Sequence, residues 1–460
     1  MEASKVDGEH QSLRSCMVFA SSSWAEDYDI SLMARQMLPY NVELDIAFML
    51  PKDQLDKYVR KPLAGDSSGN PMVMQEGRLR IWSIPVSRRP DGLGKAPTIL
   101  LREDLYSYIV HPLRHGPFVE FKRSLTTRDV KVQAILILPG GTGPTIVNSV
   151  GAFFPSEILR RHPRVVVLMN GATNPVDHIL EDWVKVLSLV RNPRLKDFTI
   201  SLVDRGQEDL MLRTLARELA DIAIASGHVK GTDFEHFYRS LFEEKELVAG
   251  GGAPLVLTAF KTVNPSHVEA LRSPPESPRG VEGLVEVIRE AAKDAARVVS
   301  LDAQRVMKEA CYFARVVLMV PKGMNRGINN MVAAELQNLA RRGLAELGFA
   351  GSMVAGVTVI PRGFPPMVFV DLGVAELRAF DLVIDSYRDY LKRHTPGTLT
   401  GIGARGGVVD RLRKVLGRVR RMLDELDPAD ARRIIWGHLV DVVDEVSSRY
   451  EAHQHEACTE

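Results

Sequence analysis

Cysteine is nearly missing from this chain. There are three in 460 residues, and Cys16, Cys311 and Cys458 stand too far apart for a metal-ligand pair or a disulfide framework. Such usage fits a reducing compartment. Long apolar runs are missing too. None reaches the ~18 residues of a membrane span, and the opening stretch Met1–Ser15 (MEASKVDGEHQSLRS) is too polar for a secretory signal, so the expectation is a cytoplasmic protein with no membrane span. Neither sign of charge is in excess. With 59 Lys and Arg against 58 Asp and Glu, the global basic field that drives non-specific nucleic-acid binding is lacking, and nucleic acid is not an expected partner. The dense basic run Arg411–Arg421 (RLRKVLGRVRR) lacks interleaved aromatics and reads as the solvated face of a helix. The His453, His455 and Cys458 tail reads as a chain end rather than a metal site. What is present, 45% apolar and 25% charged residues, is the composition of a globular chain long enough for two or three structural units.

The elements follow a doubly wound α/β order. Cys16–Ala20 reads as a strand, Ile30–Leu38 as a helix and Val42–Leu50 as a second strand, a βαβ opening. Lys61–Gln75 reads as loop, Arg78–Val86 as strand and Arg102–Pro112 as helix. The continuous apolar runs Arg164–Leu168 and Phe198–Val203, separated by a helix at Val176–Val190, have the character of parallel strands buried on both faces. One long helix spans Gln207 to about Ser226 and stops at the breakers Gly227 and Gly231. Beyond the loop Ser273–Gly280 come helix Val281–Arg297, strand Arg315–Val320, helix Asn329–Leu347, and strands Val354–Ile360 and Met367–Leu372. Helices at Glu376–Arg393, Val408–Leu426 and Pro428–Tyr450 close the chain. The expected division is a Rossmann-like nucleotide-binding domain over 1–205, a central helix over 206–228, a smaller α/β domain over 229–395 and C-terminal helices over 396–460.

The chemistry-bearing stretch is Ala134–Gly143 (AILILPGGTG), an apolar strand running into a glycine turn and then into an apolar, helical-looking segment, Pro144–Arg160. Gly140, Gly141 and Gly143 let the backbone approach a ligand closely, and the N–H groups of a helix start favour an anion. Thr142 adds a hydroxyl donor. The same turn also occurs as plain steric accommodation between strand and helix.

This order of parts resembles the tubulin/FtsZ superfamily, in a divergent, archaeal-type form. Four stretches carry the resemblance. The strand and GGTG at Ile135–Gly143 are similar to the glycine-rich signature that holds the nucleotide phosphates. Val42–Leu55 (VELDIAFMLPKDQL) resembles the second strand and the acidic loop after it, which implies a nucleotide–metal contact for Asp53. Gly92–Ala96 (GLGKA) resembles a further phosphate loop. Gly231–Phe237 (GTDFEHF) follows the long helix where the family carries the loop that enters the next subunit's nucleotide site. The resemblance makes Asp233 the carboxylate that positions the attacking water; read from the sequence alone, Asp233 is equally a helix N-cap.

The departures matter as much. The family's first phosphate loop falls where this chain has Ala20–Asp27 (ASSSWAED), so Ser21 and Ser22 would offer hydroxyls where glycine backbone is usual. Pro139 and Pro144–Thr145 flank the glycine turn, His236 stands where the family has a second aspartate, and Asp204 stands where it has the asparagine that contacts base or ribose. The resemblance implies a cytoskeletal, cell-division-type GTPase. Such a protein binds GTP or GDP with Mg²⁺ between subunits and assembles head-to-tail with itself or a related family member. The alternative is a degenerate member without turnover that acts as a structural or regulatory partner. A third reading, an unrelated doubly wound enzyme with another phosphorylated ligand, uses the same loop.

Overall fold

The computed structural model describes residues 13–20, 42–50, 73–85, 117–137, 154, 156–169, 183, 186, 189–190, 195–207, 210–225, 229–230, 241–242, 252–271, 278–328, 330–360 and 364–393. Twelve strands form one sheet in the order β3-β4-β2-β1-β5-β6-β7-β9-β12-β10-β11-β8. In chain order these are β1 (Leu13–Ala20), β2 (Val42–Leu50), β3 (Val73–Glu76), β4 (Leu79–Pro85), β5 (Lys131–Ile137), β6 (Leu159–Met169), β7 (Thr199–Asp204), β8 (Val229–Lys230), β9 (Leu255–Thr262), β10 (Cys311–Pro321), β11 (Ser352–Ile360) and β12 (Met367–Val374). The helices are α1 (Pro117–Thr127), α2 (Leu210–Ala225), α3 (Pro265–Ala270), α4 (Pro278–Ala296), α5 (Ala303–Glu309), α6 (Asn330–Ala345) and α7 (Glu376–Arg393).

The six strands β4, β2, β1, β5, β6 and β7 are parallel, and β7 continues parallel into β9 over Ile200–Val203. Beyond β9 the sheet turns mixed, with β12 antiparallel to both β9 and β10. Alternation along the strands sorts their side chains into two cores. Val165, Val167, Val316, Leu318, Val368 and Val370 pack on the face covered by α1, α4, α6 and α7. Val166, Leu168, Val317, Met319 and Phe369 meet α2 on the other. Burial on both faces is why these strands read as unbroken Val/Leu/Ile runs.

Most expected elements are present with small shifts of boundary, and several differ. The tail of the expected loop Lys61–Gln75 is strand: β3 pairs antiparallel with β4 across a Gly77–Arg78 turn. Gly77 takes φ +57° and Arg78 does not go positive, which is the pattern of a type II′ hairpin. The expected helix Pro144–Arg160 does not extend to its stated end, because Ser156–Ile158 is a 3₁₀ turn and β6 starts at Leu159. The register explains it. Leu159 pairs with Val132 and Arg164 with Ala134, so the intervening residues bulge out, with His162 at φ +56° against the ring of Phe242. Helices α1, α3 and α5 and strand β9 had no counterpart in the sequence reading. The expected helices at 30–38, 102–112, 408–426 and 428–450 lie outside the described residues, as do the basic run and the histidine tail.

Two buried polar clusters fasten the layers. Asp45 on β2 accepts from both Arg128 guanidinium nitrogens (2.8 and 2.9 Å) and from the Trp82 indole N–H (2.8 Å), tying β2, β4 and the end of α1 together. Beneath α2 lies a closed ring of six alternating charges. Arg164 meets Glu218 (2.9 Å), Glu218 meets Arg217 (2.7 Å), Arg217 meets Asp371 (2.8 Å), Asp371 meets Arg315 (2.7 Å), Arg315 meets Asp221 (2.9 Å), and Asp221 returns to Arg164 (2.7 Å). Every member is 2% exposed or less. Thr258 also donates to Asp371 (2.6 Å), and the Arg217 and Arg315 guanidiniums lie over the Phe369 ring.

Candidate functional site

The parallel strands end together. Ala20 pairs with Met49 on one side and Ile137 on the other, Leu50 with Pro85, and Met169 with Asp204. From β1 the chain builds outward through β2 to β4, whereas from β5 it builds the opposite way through β6 and β7. The order therefore reverses between β1 and β5. In an open α/β sheet such a reversal leaves a crevice outside the carboxyl ends of the strands, because the connections on its two sides depart to opposite faces.

Seven of the sequence-derived residues follow the ends of these strands in sequence. Ser21 and Ser22 are the first residues past β1, Gly140, Gly141, Thr142 and Gly143 follow Ile137 of β5 closely, and Asp53 follows Leu50 of β2. All seven lie outside the described residues. Asp204, the last residue of β7, is described. Its Oδ1 accepts from the Gly206 backbone N–H (2.9 Å), and its carbonyl accepts from Gln207 N–H (3.2 Å), an Asx-type turn that holds the half-buried carboxylate at the edge. Gln207 then reaches β9, its Oε1 accepting from Phe260 N–H (3.1 Å).

Asp233 lies outside the described residues too; in sequence it follows Lys230 of β8, the last strand at the far side of the sheet. Seven strand spacings separate β5 from β8, about 34 Å at the usual inter-strand distance. Among the described residues no group of three or more His, Cys, Asp or Glu side chains is arranged to hold a metal ion. No helix among them is long and apolar enough to cross a membrane.

The sequence reading missed the charge ring. Its signal was a lone charge in each apolar strand, Arg164 before VVVLM, Arg315 before VVLMV and Asp371 inside VFVDLG, together with the stripe Thr214, Arg217, Glu218 and Asp221 at helical spacing on α2. Such a stripe ordinarily faces water; here all of it is buried.

No family model and no curated protein matches the chain. Among solved structures it is similar to CetZ2 from Haloferax volcanii in a GTPγS-bound protofilament, at 12% identity over 83% of this chain and all of that one, with a TM-score of 0.44. It is also similar to CetZ1 from Haloferax volcanii as a GDP-bound monomer, at 14% identity over 82% of this chain and 99% of the other, TM-score 0.45. A third is TubZ of Bacillus thuringiensis serovar israelensis in a GTPγS-form protofilament, at 11% identity over 91% of this chain and 96% of that chain, TM-score 0.41.

Proposed function

We propose that this chain is a divergent tubulin/FtsZ-like protein that binds a guanine nucleotide at the carboxyl edge of β1 and β5 and assembles head-to-tail. The observation that carries the reading is the reversal of strand order between β1 and β5, with the glycine turn Gly140–Gly143 issuing from one side of it and Ser21–Ser22 from the other. The backbone N–H groups of the glycine turn and the Thr142 hydroxyl hold phosphate oxygens, the Ser21 and Ser22 hydroxyls add donors, and Asp204 meets the base or ribose. Asp53 would face Mg²⁺, which when bound neutralises phosphate charge.

The distance from β8 to β5 supports shared sites. A loop that leaves the far edge of the sheet is badly placed for its own chain's nucleotide and well placed for a neighbour's. Asp233 of one subunit then orients water at the nucleotide of the next, and an end-to-end contact of this heterologous kind propagates into an open filament. The second reading, a member without turnover, is favoured by the glycine-free turn at Ser21–Ser23 and by His236 in place of an acid.

Acid extraction of the purified protein, followed by pelleting and phosphate-release assays with GTP, separates these readings. Bound GDP or GTP with GTP-dependent pelleting is expected. Pelleting without phosphate release selects the second reading, and the absence of nucleotide, GTP binding and pelleting together overturns the first.

A further inference from the structure

The charge ring under α2 is not used by the strand-end site, and its three carboxylates are not equally served. Asp371 accepts from Arg217 through both oxygens, from Arg315 and from Thr258. Asp221 takes Arg164 and Arg315 on Oδ2, and its Oδ1, which accepts no hydrogen bond among the described residues, still lies 2.9 Å from Arg315 Nη1. Glu218 receives Arg164 and Arg217 on the same oxygen, Oε1, and its Oε2 is buried with no hydrogen-bond partner among the described residues. The charged groups around it are those of the ring: Arg164 from β6, Arg315 from β10, Asp371 from β12, and Arg217 and Asp221 from α2 itself. The other elements at the cluster bring neutral groups. Gln133 of β5 donates to the Glu218 main-chain carbonyl (3.0 Å), and Thr258 comes from β9.

We propose that the ring is a latch holding the second half of α2 against β6, β10 and β12, and that a proton on Glu218 tightens it while loss of that proton loosens it. A buried carboxylate with one oxygen that meets neither a hydrogen-bond donor nor a guanidinium nitrogen is the weakest charge in such a ring, because desolvation is incompletely repaid. Burial accordingly pushes the Glu218 carboxyl up to about 7, outweighing the pull of Arg164. At Asp221 burial raises as well, but the Arg315 and Arg164 guanidiniums outweigh it and hold that carboxyl below its usual range, so Asp221 stays ionised while Glu218 titrates.

The sign follows from linkage. A Glu218 exposed by opening of the helix returns towards its ordinary 4.5, so the closed form binds the proton more tightly than the open form. Opening is therefore favoured as pH rises from that value to about 7, and becomes independent of pH above it. The first half of α2 is held separately, Arg213 donating to the Phe260 carbonyl (3.2 Å) and to Thr262 Oγ1 (3.1 Å). The latch thus governs the half of the helix that leads into β8.

Amide hydrogen exchange on the full chain between pH 5.5 and 8.5, corrected for intrinsic exchange, tests this. Protection of amides in the second half of α2 should fall by up to about tenfold per pH unit towards pH 7 and then level off, while α6, remote from the ring, shows no such fall. Glu218→Gln, permanently uncharged, should abolish the fall in α2. A fall retained in Glu218→Gln overturns the proposal. If that variant does not fold, the wild-type contrast decides by itself, since an equal fall in α2 and α6, or none in α2, also overturns it. The outcome does not depend on nucleotide binding.

Discussion

At Asp371 two guanidinium groups and a hydroxyl converge on one carboxylate that water does not reach. Removing it leaves Arg217 and Arg315 as uncompensated buried cations, so Asp371→Ala should lower unfolding stability by about 3–5 kcal/mol, measured by urea denaturation. The exposed pair Arg342–Glu282 is the contrast. Water screens both partners, and Arg342→Ala should leave the unfolding midpoint where it was. Only part of this difference was legible in the sequence. A lone Arg or Asp inside an apolar strand announces that it needs a partner, as Arg164, Arg315 and Asp371 do, but it does not name one. The partners lie far away along the chain, Arg217 and Asp371 being 154 positions apart. No local pattern encodes that.

Elements with strong periodicity were read almost to the residue: α6 and α7 emerged near their expected bounds, and β2 has the expected ends. Strand β9 (LVLTAFKT) escaped because a short continuous apolar run has no period that separates a buried strand from a buried helix. The β3–β4 hairpin escaped because its signal is one glycine. Gly77 sits at positive φ with nothing within 4 Å of an added Cβ, so Gly77→Ala should cost only the backbone strain, about 1–2 kcal/mol. At Gly351, which leads into β11, an added Cβ would lie 2.1 Å from the Tyr312 carbonyl oxygen. Backbone must move there, and Gly351→Ala should destabilise more than Gly77→Ala in the same thermal or urea series.

At the scale of the molecule, seven strand spacings lie between β5, which precedes the glycine turn in sequence, and β8, which precedes Asp233. If Asp233 serves a neighbour's nucleotide, Asp233→Ala and Gly141→Val subunits should each release little phosphate from GTP alone, the first for lack of the positioned carboxylate and the second because a Cβ branch fills the phosphate cradle. Mixed together they should recover release well above either alone, because some contacts then pair an intact cradle with an intact Asp233. A mixture no better than its components would place the carboxylate elsewhere. By itself the sequence determined the class of the fold and most of the described strands and helices, because these depend on local periodicity. The tertiary structure decided the register, the order of the strands, the separation of β8 from β5 and the closed charge ring. Those depend on which distant residues meet once the chain is packed, and apolar burial, being non-directional, specifies that residues are inside without specifying beside whom.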